Sequence, residues 1–365
     1  MSQLDYVNPK LIIESSKLEP GAVSWRSPSN LAIVKYWGKH GRQLPRNPSI
    51  SLTLETAFTE TRLSYEAKKA GDQDISLEFL FHGEPNEAFA EKLKTFLGGV
   101  ADIFPFLRQM DLKIESGNSF PHSSGIASSA SSMSALALCL CSVEDELFGS
   151  LSDDTAFDRK ASFVARLGSG SACRSIYPKM ALWGKAAEVE GSSDLYAIPF
   201  VDQVHEVFHH MHDDILIVSR QEKSVSSRAG HSLMEQNPFA DPRYQQANRR
   251  MHDLLLALRQ GDLEAFGRIA ESEALALHAL MMTSSPSYVL MRPNTLAMLE
   301  LIREYREESG HPVYFSLDAG PNVHLLYPEE IIHEVRLFVE EQLVPLCEEQ
   351  FWLQDWAGDG PIQID

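Results

Sequence analysis

FPHSSGIASSA, the stretch from Phe120 to Ala130, leads directly into an apolar segment, Met133 to Leu147, with the composition of a buried helix. The first N–H groups of a helix have no partner within it, and the positive end of its dipole lies there, so the position favours an anion such as phosphate. Gly125 permits close approach of the backbone, and the hydroxyls of Ser128 and Ser129 add donors and a candidate magnesium ligand. The spacing matches neither Gx4GK[ST] nor GxGxxG. From this stretch alone, a helix N-cap without a ligand is the alternative.

The composition is that of a globular chain. Its 365 residues, 44% hydrophobic and 23% charged, suit two domains. No apolar run approaches the roughly 20 residues that span a bilayer, and the N-terminus MSQLDYVNPK lacks a signal-peptide pattern, so we expect a cytoplasmic protein that does not bind membranes. A net charge of −19 argues against nucleic acid as a partner. The spacing of the four cysteines predicts neither disulfides nor a metal site.

Strand and helix patterns are not strictly alternated, which favours an α+β architecture over a doubly wound parallel sheet. A polar stretch before the strand pattern Asp213–Ser219 places a domain boundary near 205, which gives domains of 1–205 and 206–365. Strands are expected at 22–25, 31–34, 51–54, 61–65, 76–81, 112–115, 179–184, 313–317 and 323–327. Helices are expected at 87–97, 125–149, 152–167 (opened by Ser152–Asp153), 241–259, 262–282, 288–308 and 328–342, and the tail shows no periodicity.

Four further polar segments are candidates for chemistry. In SPSNLAIVKYWGK (27–39), Lys35 ends an apolar run and can project into a cleft, although lysines at strand ends usually reach solvent. In ARLGSGSACR (165–174), small residues precede Arg174, which can bind a carboxylate or phosphate through two N–H groups; a plain turn is the alternative. In LDAGPN (317–322), Asp318 can serve as a general base or form an Asx-turn. SRQEKSVSSRAG (219–230) is a phosphate contact or a solvated loop.

His205, Glu206 and His209 satisfy the HExxH pattern of zinc hydrolases. That motif needs an α-helix, which puts both histidines on one face. Here it follows Pro199 and Phe200, contains β-branched Val207 and shows no helical periodicity. We therefore expect a polar connection with incidental histidines, and a zinc hydrolase is a remote alternative.

Together these segments resemble the GHMP superfamily of small-molecule kinases and, within it, the mevalonate diphosphate decarboxylases. PHSSGIASSA, from Pro121 to Ala130, matches the phosphate loop of the superfamily. The narrower resemblance comes from NLAIVKYWGK (Asn30–Lys39), GSGSACRS (Gly168–Ser175) and DAGPN (Asp318–Asn322), which occur in the order of the family and extend the likeness to about Tyr327. It implies a two-domain GHMP-kinase-like fold, with an N-terminal ATP-binding domain, an α/β C-terminal domain and an active site in the cleft between them.

The resemblance also implies an activity, the ATP-dependent decarboxylation of mevalonate 5-diphosphate to isopentenyl diphosphate in isoprenoid biosynthesis, with ATP and Mg2+ as cofactors and a homodimer as the assembly. Asp318 would take the proton of the 3-hydroxyl, Lys35 would keep that aspartate ionised, and Arg174 would hold the substrate carboxylate. The implied ATP-binding residues are Pro121, Gly125, Ala127, Ser128 and Ser129, with Ser128 or Ser129 a candidate Mg2+ ligand. The implied substrate-binding residues are Asn30, Tyr36, Trp37, Gly38, Lys39, Ser169, Gly170, Ser171, Ala172, Cys173, Arg174 and Ser227.

The sequence departs from the family at three places: Ser123 and Ser124 replace small apolar residues, Arg228 replaces a common threonine, and the strand at 74–81 lacks a basic residue that often meets the diphosphate. Arg228 is a candidate replacement for that charge. A phosphomevalonate decarboxylase and a mevalonate 3-kinase-like enzyme are therefore alternatives within the superfamily. The full set of Asp318, Lys35 and Arg174 favours decarboxylation, and it also argues against a non-catalytic binding protein.

Overall fold

A computed structural model describes residues 6–69, 74–121, 126–221 and 225–364. Within these ranges the strands are β1 Gly21–Ala32, β2 Lys39–His40, β3 Leu44–Pro45, β4 Ser49–Ala67, β5 Ser76–Phe81, β6 Glu84–Pro85, β7 Met110–Asn118, β8 Met180–Trp183, β9 Ala197–Pro199, β10 His212–Leu216, β11 Tyr314–Ser316, β12 Val323–Tyr327, β13 Trp352–Leu353 and β14 Ile362–Ile364. The helices are α1 Glu87–Val100, α2 Ser128–Phe148, α3 Asp154–Gly168, α4 Ser227–Leu233, α5 Ala240–Gln260, α6 Leu263–Met282, α7 Pro293–Ser309 and α8 Ile332–Phe338.

The first half of the chain forms a large sheet with the order β14-β1-β4-β7-β5-β6, and β8 links β4 to β9. β1 and β4 are antiparallel along nearly their whole length, with an irregularity between Pro28 and Asn30. Each therefore joins two of the predicted short strands. α2 packs on β1 and β4, and α3 packs on α2. The apolar side chains between these layers form the N-terminal core.

The second half forms a smaller sheet with the order β11-β12-β10-β13. α6 packs on β11 and α5 packs on α6. A second core lies in this layer and includes Leu216, Phe315 and Leu325, which are 0% exposed. Sheets and helices thus occur as α+β layers in both halves, in agreement with the expected architecture. None of the helices in the described ranges is long and apolar enough to cross a bilayer.

The C-terminal tail contains strands that its sequence did not predict. β13 pairs with β10 in the second sheet, whereas β14 pairs with β1 in the first. Between them the buried carboxylate of Asp355 accepts backbone N–H groups of Glu55, Thr56 and Ala57. The tail therefore spans both halves. These short strands are stabilised by their tertiary partners, which explains why no local periodicity predicts them.

The predicted cap of α3 is confirmed at Asp153, whereas the helix expected over 328–342 needs correction. Asp153 caps α3, since its side chain accepts the N–H of Ala156 at 2.8 Å, whereas the Ser152 hydroxyl bonds to Asp153 itself. The helix expected over 328–342 is α only from Ile332 to Phe338, and a π-helical segment follows at Val339–Leu343. The other expected helices are present, with ends that differ by up to five residues.

Candidate active site

Lys35 and Asp318 meet where the two halves of the chain face each other. Lys35 follows the end of β1, and Asp318 follows the end of β11. Their side chains form an ion pair, with Nζ of Lys35 2.9 Å from Oδ1 of Asp318. Nζ also donates to Oγ of Ser316 at 2.9 Å. The lysine side chain is 2% exposed and the aspartate 23%, so the carboxylate can be reached from outside while its cation cannot.

Helix α6 contacts both members of this pair through their main chains. Oε2 of Glu273 accepts the backbone N–H of Lys35 at 2.8 Å. Nε2 of His278 lies 3.0 Å from the carbonyl oxygen of Asp318. Burial lowers the pKa of His278 to about 4, so this ring is neutral near pH 7 and its protonated Nε2 donates to the carbonyl.

Arg174 is buried beside Asn30. Its Nε and Nη2 donate to Oδ1 of Asn30 at 3.3 and 3.2 Å, while the amide of Asn30 donates to Oγ of Ser175 at 2.7 Å. Nη1 of Arg174 is buried and has no hydrogen-bond partner among the described residues. Burial lowers the pKa of Arg174, and the nearby charge of Asp318 opposes that shift. A buried guanidinium with one free donor is suited to bind a carboxylate.

Tyr36 and Lys39 lie on either side of the buried residues Trp37 and Gly38. The ring of Tyr36 packs against Trp183 and His231, and its hydroxyl has no partner among the described side chains. The N–H of Gly38 donates to Nδ1 of His231 at 3.0 Å. Trp37 is 5% exposed and packs in a hydrophobic cluster, so its side chain contributes to the packing beside the predicted site.

The GSGSACR segment forms a 3-10 helix over Gly170–Ile176. A Cβ atom at Gly170 would lie 2.7 Å from the hydroxyl of Tyr36, which explains the glycine. Ala172 and Cys173 are buried, and burial raises the pKa of the Cys173 thiol to about 12, so this thiol is not a nucleophile near neutral pH. The carbonyl of Ser171 accepts the amide of Asn30.

The predicted phosphate loop leads into α2. Ala127 has a left-handed conformation with φ of 37° and no polar side chain to accept the first N–H groups of the helix. Ser128 is the first helical residue, and Oγ of Ser129 lies 3.2 Å from Oγ of Ser169. The predicted ATP-binding and substrate-binding segments are therefore in contact. Pro121 is half-buried, whereas Gly125, like Ser123 and Ser124, lies outside the described residues.

Ser227 begins α4 and is exposed, as is Arg228. Burial lowers the pKa of Lys39, and the charge of Arg228 lowers it further. The charge of Arg228 therefore acts on Lys39, although the two residues are remote in sequence. Nζ of Lys39 donates a hydrogen bond to Oε1 of Gln43 at 2.9 Å.

The HExxH segment does not form an α-helix. Glu206–Phe208 is a three-residue 3-10 helix, and Nδ1 of His205 accepts the N–H of Val207 at 3.3 Å. The two histidines therefore do not share one α-helical face. In the described ranges no group of three or more His, Cys, Asp or Glu side chains could hold a metal ion.

A buried His324–Asp213 pair lies near the Lys35–Asp318 pair. Nδ1 of His324 is 2.8 Å from Oδ1 of Asp213, and His324 is paired in register with Ser316 across β12 and β11. Burial by itself lowers the pKa of His324, but the charge and hydrogen bond of Asp213 outweigh it and raise the pKa.

Sequence reasoning missed Glu273, His278, His231 and the His324–Asp213 pair. The only local signal for Glu273 and His278 is a polar residue on the apolar side of a predicted amphipathic helix, within ESEALALHALMM. Such a residue must have a buried partner. Which partner it has depends on the packing of α6 against the end of β1.

Models of known domains match most of the chain. The diphosphomevalonate decarboxylase-like N-terminal domain matches residues 27–197, and the mevalonate 5-diphosphate decarboxylase C-terminal domain matches residues 214–356. The diphosphomevalonate decarboxylase of Eremothecium gossypii is 31% identical over 331 residues, which cover 86% of this chain and 79% of the relative. The phosphomevalonate decarboxylase of Haloferax volcanii is 28% identical over 336 residues, which cover 91% and 94%.

Solved structures give the same result. The mevalonate diphosphate decarboxylase of Staphylococcus aureus has a TM-score of 0.80 and 28% identity, covering 95% of this chain and 99% of that one. The structure of MDDEF in complex with MVAPP, AMPPCP and magnesium also has a TM-score of 0.80, with 29% identity, covering 95% and 100%. The expected two-domain fold is confirmed. Two domain models in sequence and a relative at 31% identity show that the chain belongs to the diphosphomevalonate decarboxylase family.

Proposed function

We propose that this chain catalyses the ATP-dependent decarboxylation of mevalonate 5-diphosphate. The 3-hydroxyl takes the γ-phosphoryl group of ATP, which leaves ADP. The C3–O bond then breaks with release of phosphate, the bond to the carboxylate breaks with release of CO2, and its electron pair becomes the double bond of isopentenyl diphosphate. The single observation that carries the proposal is the ion pair between buried Lys35 and partly exposed Asp318, in a chain of this family.

Asp318 is suited to be the base, because its carboxylate is partly exposed next to a buried ammonium group. A tertiary hydroxyl is a weak nucleophile, so orientation and proton acceptance by a carboxylate assist its attack. The ammonium of Lys35 favours the ionised form of Asp318. The hydrogen bond from His278 to the Asp318 carbonyl supports this arrangement, since it fixes the backbone beside the base.

Arg174 is suited to hold the substrate carboxylate. Asn30 occupies Nε and Nη2, which leaves Nη1 as a buried donor without a partner among the described residues. A carboxylate bound in a fixed orientation keeps its C–C bond aligned with the departing phosphate. Desolvation of the guanidinium also strengthens its attraction for an anion.

The start of α2 is suited to the phosphates of ATP. A long helix begins at Ser128 with a non-polar N-cap residue, Ala127, so no N-cap side chain competes with an anion for its first N–H groups. Ser128 and Ser129 would supply hydroxyl groups to the phosphates or to Mg2+, which neutralises the charge that develops during phosphoryl transfer. The contact between Ser129 and Ser169 supports the close approach of ATP and substrate.

Arg228 and Lys39 are suited to the diphosphate end. The charge of Arg228 lowers the pKa of Lys39, and an anion bound between the two cations would offset their repulsion. A diphosphate carries more negative charge than a monophosphate and would offset it more fully. The similarity to a phosphomevalonate decarboxylase makes mevalonate 5-phosphate the second candidate substrate.

The test is the release of ADP and CO2 by purified protein with ATP and Mg2+ on mevalonate 5-diphosphate, mevalonate 5-phosphate and mevalonate. We expect both products from the diphosphate, and neither from the Asp318→Asn variant. Both products from the monophosphate alone would establish the second candidate. ADP without CO2 would identify a kinase and would refute the role of Arg174.

We also propose a cytoplasmic location, as expected from the sequence, and a homodimer, which follows from the resemblance. The molar mass of the purified protein in solution, measured by light scattering, tests the homodimer. A monomeric mass would refute the homodimer.

A further inference from the structure

Glu273 is a buried carboxylate outside the set of predicted catalytic residues. It is 0% exposed. Its Oε2 accepts the backbone N–H of Lys35 at 2.8 Å, and its Oε1 accepts Nη1 of Arg243 and Nη1 of Arg250, each at 2.8 Å. A buried charge persists only with partners of this kind, so the carboxylate is tied to both arginines and to the lysine main chain.

The two arginines hold the carboxylate in one orientation. Arg243 and Arg250 are seven residues apart in α5 and so lie on one face of that helix. Arg243 contacts both oxygens of Glu273, and Arg250 contacts one. Because α5 and α6 supply all three side chains, the position of the carboxylate is set within the C-terminal half of the chain.

The main chain at Lys35 needs such a contact. β1 ends at Ala32, and the last ladder-like bond runs from the N–H of Ile33 to Ile50. Beyond that point the Lys35 peptide is fixed by side chains: Glu273 takes the N–H, and Nδ2 of Asn47 donates to the carbonyl at 3.2 Å. The ammonium end of the same residue is 2.9 Å from Asp318.

We propose that Glu273 is a positioning residue for the reaction, which fixes the Lys35 peptide so that the ammonium group meets Asp318. The inference rests on the proposed decarboxylase function and assigns it a further residue. Helix α6 thereby positions both residues of the ion pair, because His278 on the same helix donates a hydrogen bond to the carbonyl of Asp318. A displacement of about 1 Å at a catalytic group can cost roughly 100-fold in rate.

Two variants separate positioning from charge balance. Glu273→Asp keeps the negative charge for the arginines but withdraws the carboxylate by one C–C bond, about 1.5 Å, so it no longer reaches the N–H of Lys35. Glu273→Gln keeps the length and removes the charge. The matched control is Glu144→Gln, which removes a buried carboxylate paired with Lys160 at the far end of α2.

We expect Glu273→Asp to lower kcat by about 10- to 100-fold, with the KM for ATP unchanged within about threefold. Glu273→Gln, whose amide oxygen can still accept the N–H of Lys35, should lower kcat less than Glu273→Asp does. The acidic limb of the pH–rate profile should move to higher pH, because a displaced ammonium no longer favours ionised Asp318. Glu144→Gln should lower the unfolding temperature without either change. Full kcat and an unshifted profile in folded Glu273→Asp would overturn the inference. A wild-type chain without turnover would instead refute the proposed function.

Discussion

Replacement of Lys35 by methionine tests the centre of the proposed site. Nζ lies 2.9 Å from Oδ1 of Asp318, a distance at which the attraction is roughly 6 kcal/mol for an effective dielectric constant of about 20. Part of it offsets the cost of burying the ammonium. We expect the variant to lose about 3–4 kcal/mol of transition-state stabilisation, or about 10²- to 10³-fold in kcat.

The effect on folding should be smaller. Methionine fills nearly the volume of the lysine side chain, and Asp318 is 23% exposed, so water can solvate the carboxylate that is left. We expect the free energy of unfolding to fall by about 1–2 kcal/mol. The affinity for a non-hydrolysable ATP analogue should change by less than about threefold, because the proposed phosphate site at α2 does not include Lys35.

The assay is substrate-dependent release of ADP and CO2, run beside urea unfolding and titration calorimetry with the ATP analogue. Lys160→Met is the matched control, since Lys160 is also a buried lysine in an ion pair, with Glu144, and lies away from the site. It should lose stability and keep its turnover. Turnover of Lys35→Met within about fivefold of the wild type would refute the reasoning and remove Lys35 from the catalytic set.

Three further predictions follow from the same geometry. Arg174→Lys should lower kcat/KM by about 10²- to 10³-fold in steady-state assays, because an ammonium cannot reproduce the planar contacts with Asn30 and the free Nη1 donor; an unchanged value would exclude the carboxylate contact. His278→Gln tests a pH effect, because burial holds the pKa of His278 at about 4. As the pH falls below about 6.5, this histidine is protonated in the unfolded chain before it is protonated in the folded one, which destabilises the wild type. The difference in unfolding free energy between wild type and variant, measured in urea, should therefore shrink by about 2 kcal/mol from pH 7.5 to 5. A constant difference would show that the ring is not held neutral. Arg228→Ala should raise the KM for mevalonate 5-diphosphate about 3- to 10-fold with little change for ATP; equal KM values for wild type and variant would place the diphosphate elsewhere.

Much of the fold was predictable because its long elements carry their own periodicity. α5 and α6 were expected at 241–259 and 262–282 and are found at Ala240–Gln260 and Leu263–Met282. The strand Ser76–Phe81 was predicted with its observed ends. The alternation of apolar residues is a local signal, but the length of a strand is not. The two strand patterns within 51–65 belong to a single strand, β4, because pairing with β1 and β7 keeps the polar residues between them extended.

Those residues of the candidate site that lie in sequence motifs were predictable. Lys35 and Asp318 were expected to act together, and their side chains are in contact. The supporting residues were not predictable. Glu273 and His278 are polar positions in an apolar helix, and nothing in the linear pattern tells that they meet the main chain just after β1 and β11.

The sequence by itself determined the chemistry that is available: a helix N-terminus beside serines, an arginine after a glycine-rich turn, and an aspartate after an apolar strand. These are properties of neighbouring residues and of local hydrogen bonding. Only the tertiary structure decided that Lys35 and Asp318, which are 283 positions apart, share one ion pair. It also decided that the tail joins both sheets, through β13 in the second and β14 in the first. The physical reason is that burial and pairing energies depend on which surfaces pack together, and this packing is set by the whole chain.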